Sequence, residues 1–395
     1  MTDVAASRLA AGLDRLGTES AFSVLARAKE LEREGRDVIH LESGEPDFDT
    51  PAHICEAAYA AMRAGHTHYC PSAGMPELRE AASAYLSESR GIHVEPSRVL
   101  IANGAKPFLF FTILAVCDPG DEVIYPDPGF PIYESAISWA GAVPVPLPLQ
   151  EEKDFVFDVG ELEARLSPRT KLVILNSPQN PTGGVIDPIT IDQTATLLQD
   201  SAAWVLSDEV YWRLIYDGEF ASIASRPQML DRTILLDGLS KAYAMTGWRC
   251  GFAAVPEPLI DPLVRFFVNS TSCVPPFVQL AGVAALTGPQ DAVDAMLSEF
   301  RSRRRLVIDR LNDIPCISCR HPAGAFYVFP NVGSLSVTAD ELATKLLEEA
   351  GVALLAGSAF GQAGRDNLRI SYANSQANLD RALDRITTLI NDLAQ

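Results

Sequence analysis

Apolar and polar positions alternate with two different periods along this chain. Residues 20–35 (SAFSVLARAKELEREG) carry apolar side chains at helical spacing and end on a glycine, which predicts a helix with a glycine stop. The turn-rich stretch LESGEPDFDTP follows. Residues 52–65 and 76–90 return to the helical period, with Pro76 suited to a first turn. From about residue 99 short apolar runs take over: VLIAN at 99–103, DEVIYP at 121–126, VPVPLP at 143–148, KLVILN at 171–176, WVLSDE at 204–209, TILLDGL at 233–239 and CGFAAV at 250–255. Most are separated by segments long enough for a helix, the pattern of an α/β layer with a mostly parallel sheet flanked by helices. After about residue 285 the texture changes again. Residues 290–312 read as one long helix, GAFYVFP (324–330), VALLAG (352–357) and NLRISYAN (367–374) as strands, and 375–393 as a closing helix. The expected organisation is a large domain, 46–284, and a smaller α+β domain built from both chain ends, 1–45 and 285–395.

Composition narrows the options. A chain of 395 residues, 47% hydrophobic and 21% charged, has ample material for a core. A formal net charge of −19 repels phosphate backbones and argues against a nucleic-acid partner; the basic stretch RSRRR at 301–305 then reads as a solvated helix face. The longest apolar run, Phe108 to Cys117, is half a membrane span. The first residues show no apolar segment behind a basic cluster, so neither a signal peptide nor a membrane anchor is expected. Seven scattered cysteines fit a reducing compartment, and a cytoplasmic protein is expected. Cys316 and Cys319 form a lone CxxC with no further ligand pair at matching spacing, so no metal is expected.

Candidate chemistry lies just beyond the ends of the apolar runs. In LSKAYAMTGWRCG (239–251) a lysine follows a strand, with an arginine eight residues on. Burial at such a site favours the neutral amine, a nucleophile toward aldehydes, and a planar guanidinium suits a phosphate dianion. On spacing alone, a surface lysine and a structural arginine remain the default. SDEVY (207–211) puts Asp208 at a strand's carboxyl end, where open α/β sheets bind ligands. A carboxylate there can keep a pyridine nitrogen protonated, and Tyr211 can donate to a phenolic oxygen; a helix-capping Asp with a core Tyr fits equally. NSPQNPTGG (176–184) turns at the same edge and offers Asn180. NGAKPF (103–108) would present the amides of Gly104, Ala105 and Lys106 at a helix start, a natural phosphate seat without the pattern of a nucleotide loop.

Taken together and in order, these segments resemble the class I/II aminotransferase family of fold-type I pyridoxal-phosphate enzymes, close to its bacterial aspartate-aminotransferase-like branch. The resemblance rests on GEPDFDTP, HYCPSAGMPELREA, NGAKP, DPGDEVIYPDPGFPIYE, NSPQNPTGG, SDEVY, LSKAYAMTGWRCG, PAGAFYVFP and LRISYAN, and spans essentially the whole chain. It implies pyridoxal 5′-phosphate as cofactor, held by Lys241 as a Schiff base, and an amino acid and a 2-oxo acid as substrates. It further implies Asp208 as partner of the pyridinium, and Tyr211 and Asn180 as partners of the phenolic oxygen. Arg249, Gly104, Ala105 and Lys106 would hold the phosphate, and Phe130 would stack on the ring. Arg369 would grip the substrate α-carboxylate, with Gly44 lining the same pocket. Tyr69 would reach the phosphate of a neighbouring subunit, which implies a homodimer with shared active sites.

Three positions depart from the family pattern. Phe130 follows Gly129 where many relatives carry Tyr-Trp, Ala356 stands where a proline is usual, and Trp212 is bulky for its place after DEVY. These touch the substrate end and leave open a β- or γ-elimination or replacement reaction through the same Cα carbanion. A non-catalytic ligand-sensing module is the alternative of another class; it would bring a fused DNA-binding segment, and residues 1–20 are too short for one.

Overall fold

The computed structural model describes residues 9–393. Residues 1–8, on which part of the small-domain and signal-peptide expectations fall, lie outside them, as do 394 and 395. Thirteen strands run in chain order among the described residues: β1 Ile39–His40, β2 Val99–Ala102, β3 Glu122–Asp127, β4 Val143–Gln150, β5 Val156–Phe157, β6 Thr170–Asn176, β7 Trp204–Asp208, β8 Thr233–Gly238, β9 Gly251–Ala254, β10 Tyr327–Val328, β11 Val352–Ala353, β12 Leu355–Ala356 and β13 Leu368–Ser371.

Eight of them form one sheet in the order β2-β9-β8-β7-β6-β3-β4-β5. The run from β8 through β7, β6 and β3 to β4 is parallel, while β9 and β5 run the other way. Every residue of β2, β3, β8 and β9 is buried, because helices cover both faces of a parallel sheet. That is why these strands read as continuous apolar runs without alternation. β4 is different. It pairs with β3 from Val143 to Pro148, while β5 reaches only Leu149 and Gln150. Its prolines fall at alternate positions, 144, 146 and 148. Val143 donates its N–H to Asp121 on the β3 side at 2.7 Å, so the proline nitrogens all face away from β3, where no ladder bond is lost.

Helix bounds follow the expected stops. The helix Pro76–Arg90 starts on its proline and ends at Gly91 in the left-handed conformation, φ 62°. The helices Ser20–Arg33, Ala52–Arg63, Asp291–Asn312 and Gln376–Leu393 match the periodic stretches within two residues at each end. The late strands are shorter than their apolar runs. GAFYVFP keeps only Tyr327–Val328 in a ladder, and VALLAG splits into β11, which pairs with β1, and β12, which pairs with β13. Apolar side chains there fill a core between small sheets and helices, so burial persists where pairing stops. That core gathers Ile39 and Leu41 with residues from Met296 to Ile390, and it also takes Tyr211, Leu214 and Tyr216 from the loop after β7. None of the helices among the described residues is long and apolar enough to cross a membrane.

Candidate active site

The sheet delivers its chemistry to one edge. β6 ends at Asn176, β7 at Asp208 and β8 at Gly238, three residues before Lys241. β2 leads into Gly104 and the helix Lys106–Val116, and β3 into the turn that carries Phe130. β9 is antiparallel, so its start lies at this same edge, two residues after Arg249. A cavity of about 300 Å³ opens there. Of the twelve residues singled out in the sequence, ten line it: Gly44, Ala105, Lys106, Phe130, Asn180, Asp208, Tyr211, Lys241, Arg249 and Arg369. Gly104 and Tyr69 do not. Gly104 lies directly behind Arg249, and Tyr69 is 90% exposed.

Lys241 lines the cavity and is partly buried. Nζ donates to the carbonyl oxygen of Gly44. Its pKa is pushed down to about 8, first by burial and then by the positive charges of Arg369, Arg249 and Lys106, with Glu45 opposing. At neutral pH roughly a tenth of the amine is then neutral, far more than for an ordinary lysine. Asp208 is 4% exposed. Its carboxyl is pushed up to about 6, first by burial, against the hydroxyl of Tyr133 and the amide of Val210, which favour the charged form. Tyr133 donates to Oδ2 at 2.7 Å. A buried carboxyl of this kind gains from a partner that brings an N–H and a positive charge.

Two close approaches build a seat for an anion. An added Cβ on Gly104, whose φ is +88°, would stand 2.5 Å from Arg249 Nη2, and one on Gly251 would stand 2.7 Å from the Gly104 carbonyl carbon. Only glycine lets the guanidinium and the β9 backbone come this near. The Gly104 amide is spent on Ala102 O at 2.7 Å, which differs from the expectation that it donates to a phosphate. The amides of Ala105 and Lys106 have no acceptor among the described residues, and no side chain caps this helix start. Those two amides and Arg249, itself fixed by a bond to Thr246 O at 2.9 Å, converge on the cavity. The Lys106 side chain turns elsewhere and pairs with Glu19.

On the opposite side, β13 presents Arg369, 4% exposed. Its bonds go to neutral oxygens: Nη2 to Glu42 O, and Nη1 to Asn180 Oδ1 at 3.2 Å. Nε is buried without a partner, and among the described residues no carboxylate lies within ion-pair distance. Burial lowers its pKa. The guanidinium lies 4.7 Å from the Tyr327 ring centroid and 4.9 Å from that of Phe360, and its planar fork of donors suits a carboxylate. Tyr211 and Tyr327 share a hydroxyl–hydroxyl bond of 2.8 Å, which ties the loop after β7 to β10. Asn176 sets the Asn180 turn, its Oδ1 accepting from the Asn180 amide at 3.0 Å while Nδ2 donates to Asp208 O at 3.0 Å.

Sequence reasoning missed Tyr133, Asn176, Tyr327, Phe22 and Glu19, all of which line the cavity. Tyr133 and Asn176 stood inside quoted motifs, three residues after Phe130 and first in NSPQNPTGG. Tyr327 likewise stood inside a quoted motif, PAGAFYVFP, where only its strand character was read. Glu19 gave no signal beyond its place just before the first helix.

The family model for aminotransferases of class I and II matches residues 36–386. An aspartate aminotransferase of Geobacillus stearothermophilus is 39% identical over 96% of this chain and 98% of its own length. An aromatic-amino-acid aminotransferase of Thermococcus litoralis is 39% identical over 90% of this chain and 92% of its own length. The crystal structure of the Rhizobium meliloti aspartate aminotransferase superposes with a TM-score of 0.92 at 38% identity, covering 97% of this chain and 99% of that one.

Proposed function

The chain belongs to the class I and II aminotransferases and transfers amino groups between amino acids and 2-oxo acids with pyridoxal 5′-phosphate, and on that premise we propose the part each cavity residue plays. The residues fit the cofactor. Asp208, buried and half-protonated near pH 6, suits the ring nitrogen, because a pyridinium N–H supplies the charge that its setting lacks. Arg249 and the partnerless amides of Ala105 and Lys106 suit the phosphate. Tyr211 and Asn180 suit the phenolic oxygen, Phe130 covers a ring face, and Lys241 offers the amine that attaches the aldehyde carbon. When bound, the cofactor supplies a conjugated cationic ring that accepts the electron pair left at an amino acid's Cα.

The protein's own steps follow. Arg369, which has no carboxylate partner among the described residues, takes the substrate α-carboxylate, and the narrow space at Gly44 keeps Tyr327 and Arg369 in place; a Cβ there would meet Tyr327 Oη at 2.8 Å. With the cofactor bound, the Nζ of Lys241 would be the base that takes the Cα proton and the acid that gives it back. General acid–base work of this kind contributes ~10²–10⁴-fold in rate. Ala21, Phe22 and Leu25 of the helix Ser20–Arg33 line the cavity with apolar surface, which would help keep water from a bound substrate. In the same proposal the chain acts as a homodimer in the cytoplasm, divided into 46–284 and a smaller domain of 1–45 with 285–395. The exposure of Tyr69 supports its reaching a neighbouring subunit, and the seven unpaired cysteines support a reducing compartment.

The convergence of a low-pKa Lys241, a high-pKa Asp208 and an ion-pair-free Arg369 on one cavity carries this reading. Lys241→Ala tests it. The variant is expected to bind cofactor and lose the half-reaction with every amino acid, followed by cofactor absorbance. Borohydride is expected to label the wild-type SKAYAM peptide and leave that of the variant unlabelled. A variant with intact turnover would overturn the assignment.

A further inference from the structure

We infer that Glu19, through its ion pair with Lys106, closes the side-chain end of the cavity to dicarboxylates and selects amino acids with uncharged side chains. The inference rests on the proposal that Arg369 takes the α-carboxylate. Among the described residues of this chain four cations line the cavity: Lys106, Lys241, Arg249 and Arg369. Three are committed, to the aldehyde, the phosphate and the α-carboxylate. A second carboxylate on the substrate would therefore depend on Lys106, and Lys106 Nζ already donates to Glu19 Oε1.

Glu19 is built for that contact. It stands at the N-cap of the helix Ser20–Arg33 and makes no capping bond to its own helix; its carboxylate reaches across 87 residues of sequence instead. The pair is partly desolvated, with side-chain exposures of 38% for Lys106 and 20% for Glu19. Around it the surface is apolar. Lys106 Nζ lies 5.3 Å from the Phe130 ring centroid and 5.7 Å from that of Phe22, and Leu25 lines the same wall. A dicarboxylate entering here must dislodge Glu19 or bring an anion beside it, whereas an uncharged side chain packs on the rings and leaves the pair intact.

The test compares kcat/KM for L-aspartate and L-phenylalanine in the holoenzyme and in Glu19→Gln, with Glu19→Ser as a second variant. Wild type is expected to favour phenylalanine. Either variant is expected to raise the aspartate-to-phenylalanine ratio by roughly tenfold to a hundredfold, the worth of one freed hydrogen bond to a charged group. Lys106→Met added to Glu19→Gln is expected to cancel that gain. Calorimetry with succinate is expected to show tighter binding in Glu19→Gln than in wild type or in the double variant. A wild type that prefers aspartate, or a ratio that Glu19 variants leave in place, overturns the inference. An intact half-reaction with an unmoved ratio sinks this inference alone; turnover by Lys241→Ala sinks the reading beneath it.

Discussion

Two arginines of this molecule are buried to the same degree and live in opposite electrostatic company. Arg90, on the helix Pro76–Arg90, donates to Glu209 at 3.0 Å and to Asp237 at 2.8 Å, and its guanidinium lies 4.3 Å from the Trp212 ring centroid. Burial pushes its pKa down, but Asp237 and Glu209 outweigh that and the net shift is upward. Arg369 has no such partner, and burial wins. The first arginine is complete within the chain; the second is complete only with a ligand. Burial alone does not separate a structural cation from a binding one, whereas the inventory of its partners does.

The comparison breaks first on stability. Arg90→Met strands two carboxylates in the interior and is expected to cost about 3–5 kcal/mol, measured by urea unfolding; a loss below about 1 kcal/mol would show that Glu209 and Asp237 find other partners. Arg369→Met leaves no carboxylate stranded. It is expected to keep wild-type stability within about 1 kcal/mol and to lower kcat/KM roughly 10²–10³-fold, mostly through KM, because a ligand's charged contact is removed. Equal destabilisation by both substitutions would erase the distinction.

The smallest effect sharpens it through pH. Asp237 is pushed up to about 6, first by burial, from an ordinary 3.8, with Arg90 opposing. One cation faces two acids, so the native state holds a proton that the unfolded chain has released. A raised acid stabilises below its unfolded pKa, and that contribution fades as pH rises from about 4 through 6. Asp237→Asn is therefore expected to flatten the decline in stability over this window relative to wild type, by about 1–2 kcal/mol. The same comparison cancels the parallel contribution of Asp208. A variant that declines as steeply as wild type would place the excess charge elsewhere.

Much of this was legible in the residues. The buried strands of a parallel sheet are short apolar runs, and their ends are sequence positions, so Asp208, Asn180, Lys241 and Gly104 could be assigned to one edge before any contact was known. The stop glycines and the helix-opening Pro76 fixed helix bounds equally well, because capping is local. What escaped was long-range. Glu19 meets Lys106 across 87 residues, Arg90 meets Asp237 across 147, and Tyr211 meets Tyr327 across 116. No periodicity encodes such a meeting; only the packing of separate elements does. The short ladders of β10 to β12 escaped for a related reason, since an apolar run reports burial and says nothing of which backbone groups find a partner.

The alternating prolines of β4 bear on the behaviour of the molecule in a crowded solution. Their nitrogens leave the outer border of the strand without amide donors, and the Pro146 carbonyl is already taken by Arg165 at 2.8 Å. A stray β-segment that approached this border would find almost nothing to zip onto, so the sheet is blunted against recruiting other chains into aggregates. Valines at 144, 146 and 148 would serve β3 just as well and would turn that border into a template for foreign strands.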